Sequence, residues 1–553
     1  MGRKTRLKGE LDMKKIKDYA YKTEYFIPQR IVFEKSCEDS ALILREMPRQ
    51  VVLFGEIPYV KIKKGGYIIL DFGVEIHGGV IITLPCVKNN THIRIVFGES
   101  VSEAMSSIGY KNATNDHAIR DVVLPVTSWQ TFRYGNTGFR FVKIEAVDND
   151  IEIAGIQAIL ECRDVVCKGE FECNNELLNK IWKTGAYTVQ LNMQEYLWDG
   201  IKRDRLVWVG DMHPEVSTIL SVFGDDEVIS KSLDFISRYT ASDKWMNGMP
   251  SYNLWWLKIQ YDYYMWSGNA EYLKGHKDYI CDMVGFILSH INPDGTHNIE
   301  NMFVEWNACE TEYEKAGFQA MLTIGLSAAK ELLHILGEDD LPKRCEQALE
   351  KIKQHVYTYD GNKQVAAMLS LAGMLDAKEV SEKVIKPGNE NGLSTFWGYY
   401  TLQALHKSGD TKSSLDMIEK YWGKMLKMGA TTFWEDFDVS WCENAARIDE
   451  VVPEGKVDIH GDFGKYCYKG FRHSLCHGWA SGSTAFMSNK ILGVNILEPG
   501  CKKVEIKPDL GNLNWAKGKF PTPYGEIIIE HRVQNGKIVS EVSAPLGIEI
   551  IKK

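Results

Sequence analysis

From about residue 175 to residue 492 the apolar positions of this 553-residue chain recur at helical spacing in about twelve successive segments, and no strand-like run interrupts them. The segments fall near 175–195, 212–223, 225–239, 252–266, 269–291, 313–336, 341–357, 363–375, 377–386, 394–408, 411–428 and 473–491. Helices with short connections must bury their apolar faces against one another, which leaves few architectures. Six hairpins closed into an (α/α)6 barrel is what the count suggests. An open helical solenoid gives the same count, and no internal repeat is visible.

The flanks have a different texture. From about residue 27 to residue 161 the period is two, in segments such as 66–72 (GYIILDF), 79–84 (GVIITL), 92–97 (HIRIVF) and 139–146 (FRFVKIEA), punctuated by Gly, Asn and Pro turns. Many short strands with turn signals predict an antiparallel β-sandwich. His77 and Glu99, both inside it, read as surface or loop residues rather than ligands. Residues 169–173 (GEFEC) read as a last strand, and Asn174 or Asn175 then caps the first helix, whose apolar positions are Leu177, Leu178, Ile181 and Trp182. Strand texture returns after Leu492, in 503–507, 526–531 and 537–542, and predicts a small C-terminal sandwich. The domains so expected are 1–168, 169–492 and 493–553.

A net charge of −9 gives no basic footprint for nucleic acid, and no lysine block suits an anionic membrane, so the expected ligand is neutral. Aromatic side chains are plentiful, with 15 Trp and 25 Tyr, and such faces stack on the C–H faces of sugars. The twelve cysteines form no Cys-x-x-Cys pair, so neither zinc spacing nor a disulfide scaffold is present. The basic N-terminus, MGRKTRLKGELDMKK, is not followed by an apolar run of signal-peptide type, and nowhere do eighteen apolar residues run together; a reducing cytoplasm is the simpler expectation. No Gly-x-Ser-x-Gly elbow, phosphate loop or dinucleotide fingerprint occurs.

Two long segments without secondary-structure signal interrupt the helices, 198–211 and 431 to about 470, and loops of that length inside a compact domain are usually functional. In a barrel of hairpins they would converge on one central hollow. The first contains DGIKRDRLVWVGD (199–211), three carboxylates and three cations around Trp208. Such a neutral but charge-dense run suits a partly buried pocket, or else a structural ion-pair network capping a helix. The second contains TTFWEDFD (431–438), followed by HSLCHGW (473–479). Carboxylates from two loops in a neutral aromatic pocket are what glycoside hydrolysis requires: one acid protonates the leaving oxygen, and a second carboxylate attacks or activates water. Asp204 and Glu435 are the candidates, with Trp208 and Trp434 as walls. Glu435 also reads as part of a solvated acidic loop beside Asp436 and Asp438, and His477 as a residue filling a helix start.

DGIKRDRLVWVGD is similar to the signature of the bacterial alpha-L-rhamnosidases of glycoside hydrolase family 78, with an opening Asp, an Arg, the acid, a Trp and a closing Asp at 199, 203, 204, 208 and 211. ATTFWEDFD resembles the segment carrying that family's general base, and HGWASG around His477 resembles the segment closing its barrel. LDFGVEIHGGV with TGFRFVKIEA, and KPDLGNLNWAKGKFPTPYGEI, resemble its N- and C-terminal sandwiches. The resemblance implies a six-hairpin barrel flanked by sandwiches and hydrolysis of terminal alpha-L-rhamnose with inversion, without cofactor or metal. Carried over, Asp204 is the acid and Glu435 the base; Asp199, Arg203 and Asp211 hold sugar hydroxyls; Trp208, Trp306 and Trp434 line the pocket; Glu305 and His477 are further contacts. The sequence departs from the family in having Asp204 where Glu is usual, Glu305 before the Trp where Asp is usual, and Gly200-Ile201 for the usual Cys-Pro. The alternatives are a carbohydrate-binding protein with decayed catalysis, or a six-hairpin hydrolase for another glycone, with Lys202 or Arg205 reading the C5 substituent. The partner expected is a small carbohydrate, and a homo-oligomer is left open.

Overall fold

The computed structural model describes residues 21–47, 49–53, 57–355 and 357–553; the basic N-terminal stretch and residue 356 of the helical segment 341–357 lie outside the described residues. The N-terminal strands are β1 (Tyr21–Phe26), β2 (Arg30–Glu38), β3 (Val60–Leu84), β4 (Thr91–Gly98), β5 (Asp121–Val126), β6 (Gln130–Ala146), β7 (Ile151–Ile153) and β8 (Gly155–Arg163). They make one antiparallel sheet in the order β1-β8-β3-β6-β4-β5, with β2 and β7 also paired to β3. The segments GYIILDF and GVIITL, which read as two strands, are one 25-residue strand, β3. Its first part pairs with β2 and β7 and its last part with β8, and both parts contribute to one hydrophobic cluster, so the sheet closes over its own core. Gly78 stands at the irregularity between them; its φ is +145°, and a Cβ there would lie 2.1 Å from the Ile159 carbonyl oxygen.

After α1 (Val101–Met105) in the N-terminal domain, the helices are α2 (Glu176–Asn192), α3 (Val209–Val222), α4 (Glu227–Tyr239), α5 (Pro250–Ser267), α6 (Ala270–Gly275), α7 (Lys277–Ser289), α8 (Glu314–Ile335), α9 (Asp340–Ile352), α10 (Lys363–Leu371), α11 (Ala377–Val380), α12 (Gly398–Lys407), α13 (Thr411–Lys427) and α14 (Gly482–Phe486). Inner helix α3 packs on α5, α5 on α8, α8 on α10, α10 on α12, α12 on α14, and α14 back on α3. That ring closes, which separates the barrel from the open solenoid. Burial follows position: inner α5 buries a nearly continuous run from Pro250 to Leu257, whereas outer α4 buries only Val228, Ile229, Ser232, Leu233 and Ile236, a single stripe. Segment 269–291 breaks at His276 into α6 and α7, and segment 473–491 becomes helical only at Gly478, leaving 473–477 extended toward the barrel mouth. Among the described residues no helix is long and apolar enough to cross a membrane.

A two-residue parallel pair, β10 (Ala445–Ala446) with β11 (Val457–Asp458), ties the long loop after α13. The C-terminal strands β12 (Val494–Glu498), β13 (Lys503–Ile506) and β17 (Glu549–Lys552) form one sheet, and β16 (Lys537–Ser543), β15 (Gly525–Gln534) and β14 (Trp515–Thr522) form most of another. The fourth strand of the second sheet is β9 (Glu170–Cys173), which pairs with β14 and not with the N-terminal sheet. The strand that reads as the end of the first domain thus completes the last. The junction explains both asparagines: Asn175 caps α2 by accepting from Leu177 N and Leu178 N, while Asn174 accepts from Asn514 N and Trp515 N across the two parts of the chain.

Candidate functional site

Loop 199–208 runs from the end of the α2 segment into α3 and is held on both sides. Asp199 closes it by backbone and side-chain hydrogen bonds with Leu206, and its carbonyl accepts from Gly478 N on the segment leading into α14. On the other side Gly138 N donates to the Ile201 carbonyl, and Ile201 belongs to the N-terminal hydrophobic cluster. Between these anchors Asp204 and Arg205 take left-handed backbone conformations, φ 56° and 58°, uncommon for residues with side chains.

Arg203 is the centre. One terminal nitrogen donates to Asp204 Oδ1 at 3.1 Å, and the other is ion-paired with Glu435 Oε1, so one buried guanidinium engages carboxyls from both loops. Glu435 is further fixed by Ser474 N, which donates to Oε2 at 3.2 Å, and by Thr395 and Trp479, which donate to its carbonyl. Burial pushes the Glu435 carboxyl up, but Arg203, with His477 and His473, outweighs it and holds it at about 2.

Asp211, in the first turn of α3, meets His477 Nε2 at 3.0 Å. Burial raises the Asp211 carboxyl and works against charge on His477, yet Glu435 and Asp211 carry the imidazole above its usual value. Asp199 is raised well above the carboxylate range by burial, with Asp211 and Asp204 adding to the rise and His477 opposing it. Trp434 is fully buried, and Trp208 meets Tyr252 edge-on. Four buried nitrogens on these residues, Arg203 Nε, Trp208 Nε1, Trp434 Nε1 and His477 Nδ1, have no hydrogen-bond partner among the described residues. Such groups are uncommon in a folded protein and suit the oxygens of a ligand.

Glu305 is buried and Trp306 half-buried. Glu305 accepts from Asn307 N and Gln364 Nε2 and is raised to about 7 by burial, while Trp306 stacks on Tyr466 at 4.9 Å. Lys202 and Arg205, the cations a charged C5 substituent would need, are turned away from the site. Lys202 Nζ lies 2.9 Å from Glu99 and 3.3 Å from Glu103 and donates to the Phe471 and His473 carbonyls; the Arg205 guanidinium lies over Trp198 and donates to Asn136.

Sequence reasoning missed this second layer. Glu99 and His77, read as surface residues, are both buried. Burial lifts the Glu99 carboxyl to about 7 against the pull of Lys202, and its Oε2 accepts from Leu475 N beside the site. Glu99, Glu103 and His460 are close enough to share a metal ion, but the Lys202 ammonium is the cation that Glu99 and Glu103 hold. No local pattern marks these residues, because each is brought in from a distant part of the chain.

Residues 167–449, just over half of the chain, match the model of the bacterial alpha-L-rhamnosidase 6 hairpin glycosidase domain, and residues 493–551 match that of the bacterial alpha-L-rhamnosidase C-terminal domain. An alpha-L-rhamnosidase from Alteromonas sp. (strain LOR) is 24% identical over 543 residues, covering 87% of this chain and 55% of the relative; the chain thus spans about half the length of that protein. Among solved structures, a GH78 family rhamnosidase of Bacillus sp. GL1 superposes with a TM-score of 0.72 at 20% identity, over 93% of this chain and 55% of that one. A rhamnosidase from Klebsiella oxytoca, solved with rhamnose bound, gives 0.69 at 18%, over 85% of this chain and 96% of that one. At these identities the superpositions speak to the fold, which they share. On the match of its helical domain, the chain belongs to the bacterial alpha-L-rhamnosidase six-hairpin glycosidase family.

Proposed function

We propose that this protein is a glycoside hydrolase that removes terminal non-reducing alpha-L-rhamnose from oligosaccharides or small glycosides with inversion. The observation that carries the reading is the fork of Arg203, which faces Asp204 with one nitrogen and Glu435 with the other. Two carboxyls from separate loops then flank one spot, the arrangement in which one protonates a leaving oxygen while the other takes a proton from water. Glu435, held ionised far below neutral pH, is the base. Asp204 Oδ2 is the acid position, its other oxygen being the one bound by Arg203. Water attacks the anomeric carbon as the glycosidic C–O bond breaks, the water proton goes to Glu435, and the departing oxygen takes the proton of Asp204. Asp199, with Asp211, His477 and the unpartnered donors of Arg203, Trp208 and Trp434, would hold ring hydroxyls; Glu305 and Trp306 would be further contacts.

The test is a panel of aryl glycosides and rhamnose-containing oligosaccharides, with NMR of the first product anomer. Release of β-L-rhamnose is the expected result. The α-anomer would remove Glu435 from the role of base, and hydrolysis of a different glycone alone would overturn the substrate assignment.

A further inference from the structure

The ring of inner helices encloses a second hollow, a cavity of about 620 Å³ at the end away from the catalytic loops. Asp211 stands in the first turn of α3, whereas the cavity is lined by the last turns of α3, α5 and α10 and covered by β12 and β14. A wall of rings lies between the two. The indole of Trp479 donates to the Glu435 carbonyl and lies flat on Phe396, 5.0 Å away, and Phe396 in turn meets Trp255 and Tyr400. Trp255 stacks on Tyr400 at 5.2 Å and on His213 at 4.8 Å, and His213 Nδ1 lies 2.8 Å from the Tyr400 hydroxyl, a contact that spans the ring from α3 to α12. All five rings are buried, and none of the residues assigned to the catalytic site lines the cavity.

The charges that line this cavity do not cancel. Lys258 is ion-paired with Asp262, which also meets His213 Nε2 at 3.1 Å. Burial pushes the Asp262 carboxyl up, but Lys258 and His213 outweigh it and hold it at about 2, so this acid is ionised and already partnered. Glu331 stands exposed at the edge, 3.8 Å from Lys330. Lys490, half-buried in the turn that follows α14, is the cation left over: among the described residues no carboxylate oxygen lies within 4 Å of its Nζ, and no acceptor takes a hydrogen bond from it. Burial lowers its ammonium, and Lys258 adds to the fall while Asp262 opposes it. One unpartnered cation calls for one negative charge. A phosphate monoester would bring nearly a second charge toward Asp262, whereas a carboxylate brings one. The remaining lining is that of a sugar pocket, with the amides of Gln403 and Asn489 and the half-buried ring of Tyr261, and its size is that of small-ligand sites in general. We propose that this hollow is a second ligand site, separate from the catalytic one, that takes a small sugar acid: the carboxylate on Lys490, hydroxyls on the Gln403 and Asn489 amides, and a C–H face on Tyr261. The inference does not rest on the roles given to Asp204 and Glu435.

The experiment is isothermal titration calorimetry of the full chain with D-glucuronate, D-glucose and acetate. D-Glucuronate should bind, and D-glucose, which lacks the carboxylate, and acetate, which lacks the hydroxyls, should each bind more weakly by about tenfold or more. Lys490→Met should weaken glucuronate by about tenfold to a hundredfold, the loss of a hydrogen bond to a charged group, and Lys490→Arg should restore most of it. Gln403→Leu, which leaves the charge in place, should weaken glucuronate by about threefold to tenfold and acetate not at all. Glu435→Gln, beyond the wall of rings, should leave glucuronate binding unchanged. No binding by the wild type, equal affinity in Lys490→Met, or acetate bound as tightly as glucuronate would overturn the proposal. Loss of binding in Glu435→Gln would place the ligand in the catalytic site and overturn it as well. If the protein cleaves no rhamnoside while glucuronate binding depends on Lys490, the hydrolase reading fails and this one stands.

Discussion

Segment 431–438 and loop 199–208 each bring one carboxyl to Arg203, and they hold it by different means. Glu435 is 4% exposed and is fixed through its own backbone: its N–H donates to the Ser474 carbonyl, and its carbonyl accepts from Thr395 and Trp479. Every one of those partners belongs to the barrel. Asp204 has a 19% exposed side chain, and the loop carrying it is anchored to the N-terminal domain through Ile201, Lys202 and Arg205. The backbone of the base is fixed by barrel segments, whereas the loop of the acid is anchored directly on the N-terminal domain. Changes at that anchor should therefore impair the acid more than the base.

The largest effect is expected at the base. Glu435→Gln keeps an oxygen for Arg203 but cannot take a proton from water, and should lower kcat about 10²- to 10⁴-fold on nitrophenyl and methyl rhamnosides alike. Asp204→Asn should approach that loss only on the methyl glycoside, whose alkoxide, unlike nitrophenolate, needs a proton to leave. The pH dependence sharpens the contrast. The folded-state carboxyl of Glu435 stands at about 2, below its unfolded value, so the Arg203 pair stabilises the fold fully above about pH 4.3 and loses that contribution as pH falls toward 2. The acid limb of kcat/KM should accordingly lie below pH 4; a limb near pH 5 would mean that Arg203 does not hold Glu435 in solution.

A smaller effect is expected from Lys202→Met, which cuts the anchor without touching Asp204 or Glu435. Removing one partner of a buried ion pair costs about 3–5 kcal/mol, so the melting temperature should fall. A shift of about 1 Å in loop 199–208 can reduce rate on the order of a hundredfold. Kinetics at a temperature where the variant is folded should show that loss mainly on the methyl glycoside. Equal losses on both substrates would show that the anchor carries the base as much as the acid, and the contrast between the two segments would fail.

Much of this was legible in the sequence where chemistry is local. The run DGIKRDRLVWVGD announces a charge-dense loop because its members are neighbours in the chain, and its Arg203 does meet Glu435. Helical periodicity marks both inner and outer barrel helices because each must bury at least one apolar face. What escaped reading is contact at long range. Glu99 looks like a turn residue after VFG, and only the folded chain sets it against Lys202 and Leu475 N. Strand β9 is too short to declare a partner, and it joins a sheet more than 340 residues away in the chain. Residues 73–78 look like a turn between two strands, whereas the strand runs on through them with a break in register, and Gly78, without a Cβ, lets it bend there.

The smallest effect separates the carboxyls at Arg203 from one that burial chiefly controls. Glu215 lies one turn beyond Asp211 in α3, is 1% exposed, and has no hydrogen-bond partner for either oxygen among the described residues. Burial raises its carboxyl well above the usual range, and Asp211 and Asp199 add to the rise. A carboxyl raised in the folded state keeps a proton that the unfolded chain releases above about pH 4.3, so its contribution to stability is fully present below that pH and declines as pH rises. Glu215→Gln carries no such proton. Its stability relative to the wild type should therefore rise between pH 5 and pH 8, by at most about 1.4 kcal/mol per pH unit, while kcat is unchanged. Urea unfolding at the two pH values measures this directly. The same difference at both would show that Glu215 is ionised in the folded protein, and the floor of the site would then hold a charge that the Arg203 fork has to balance.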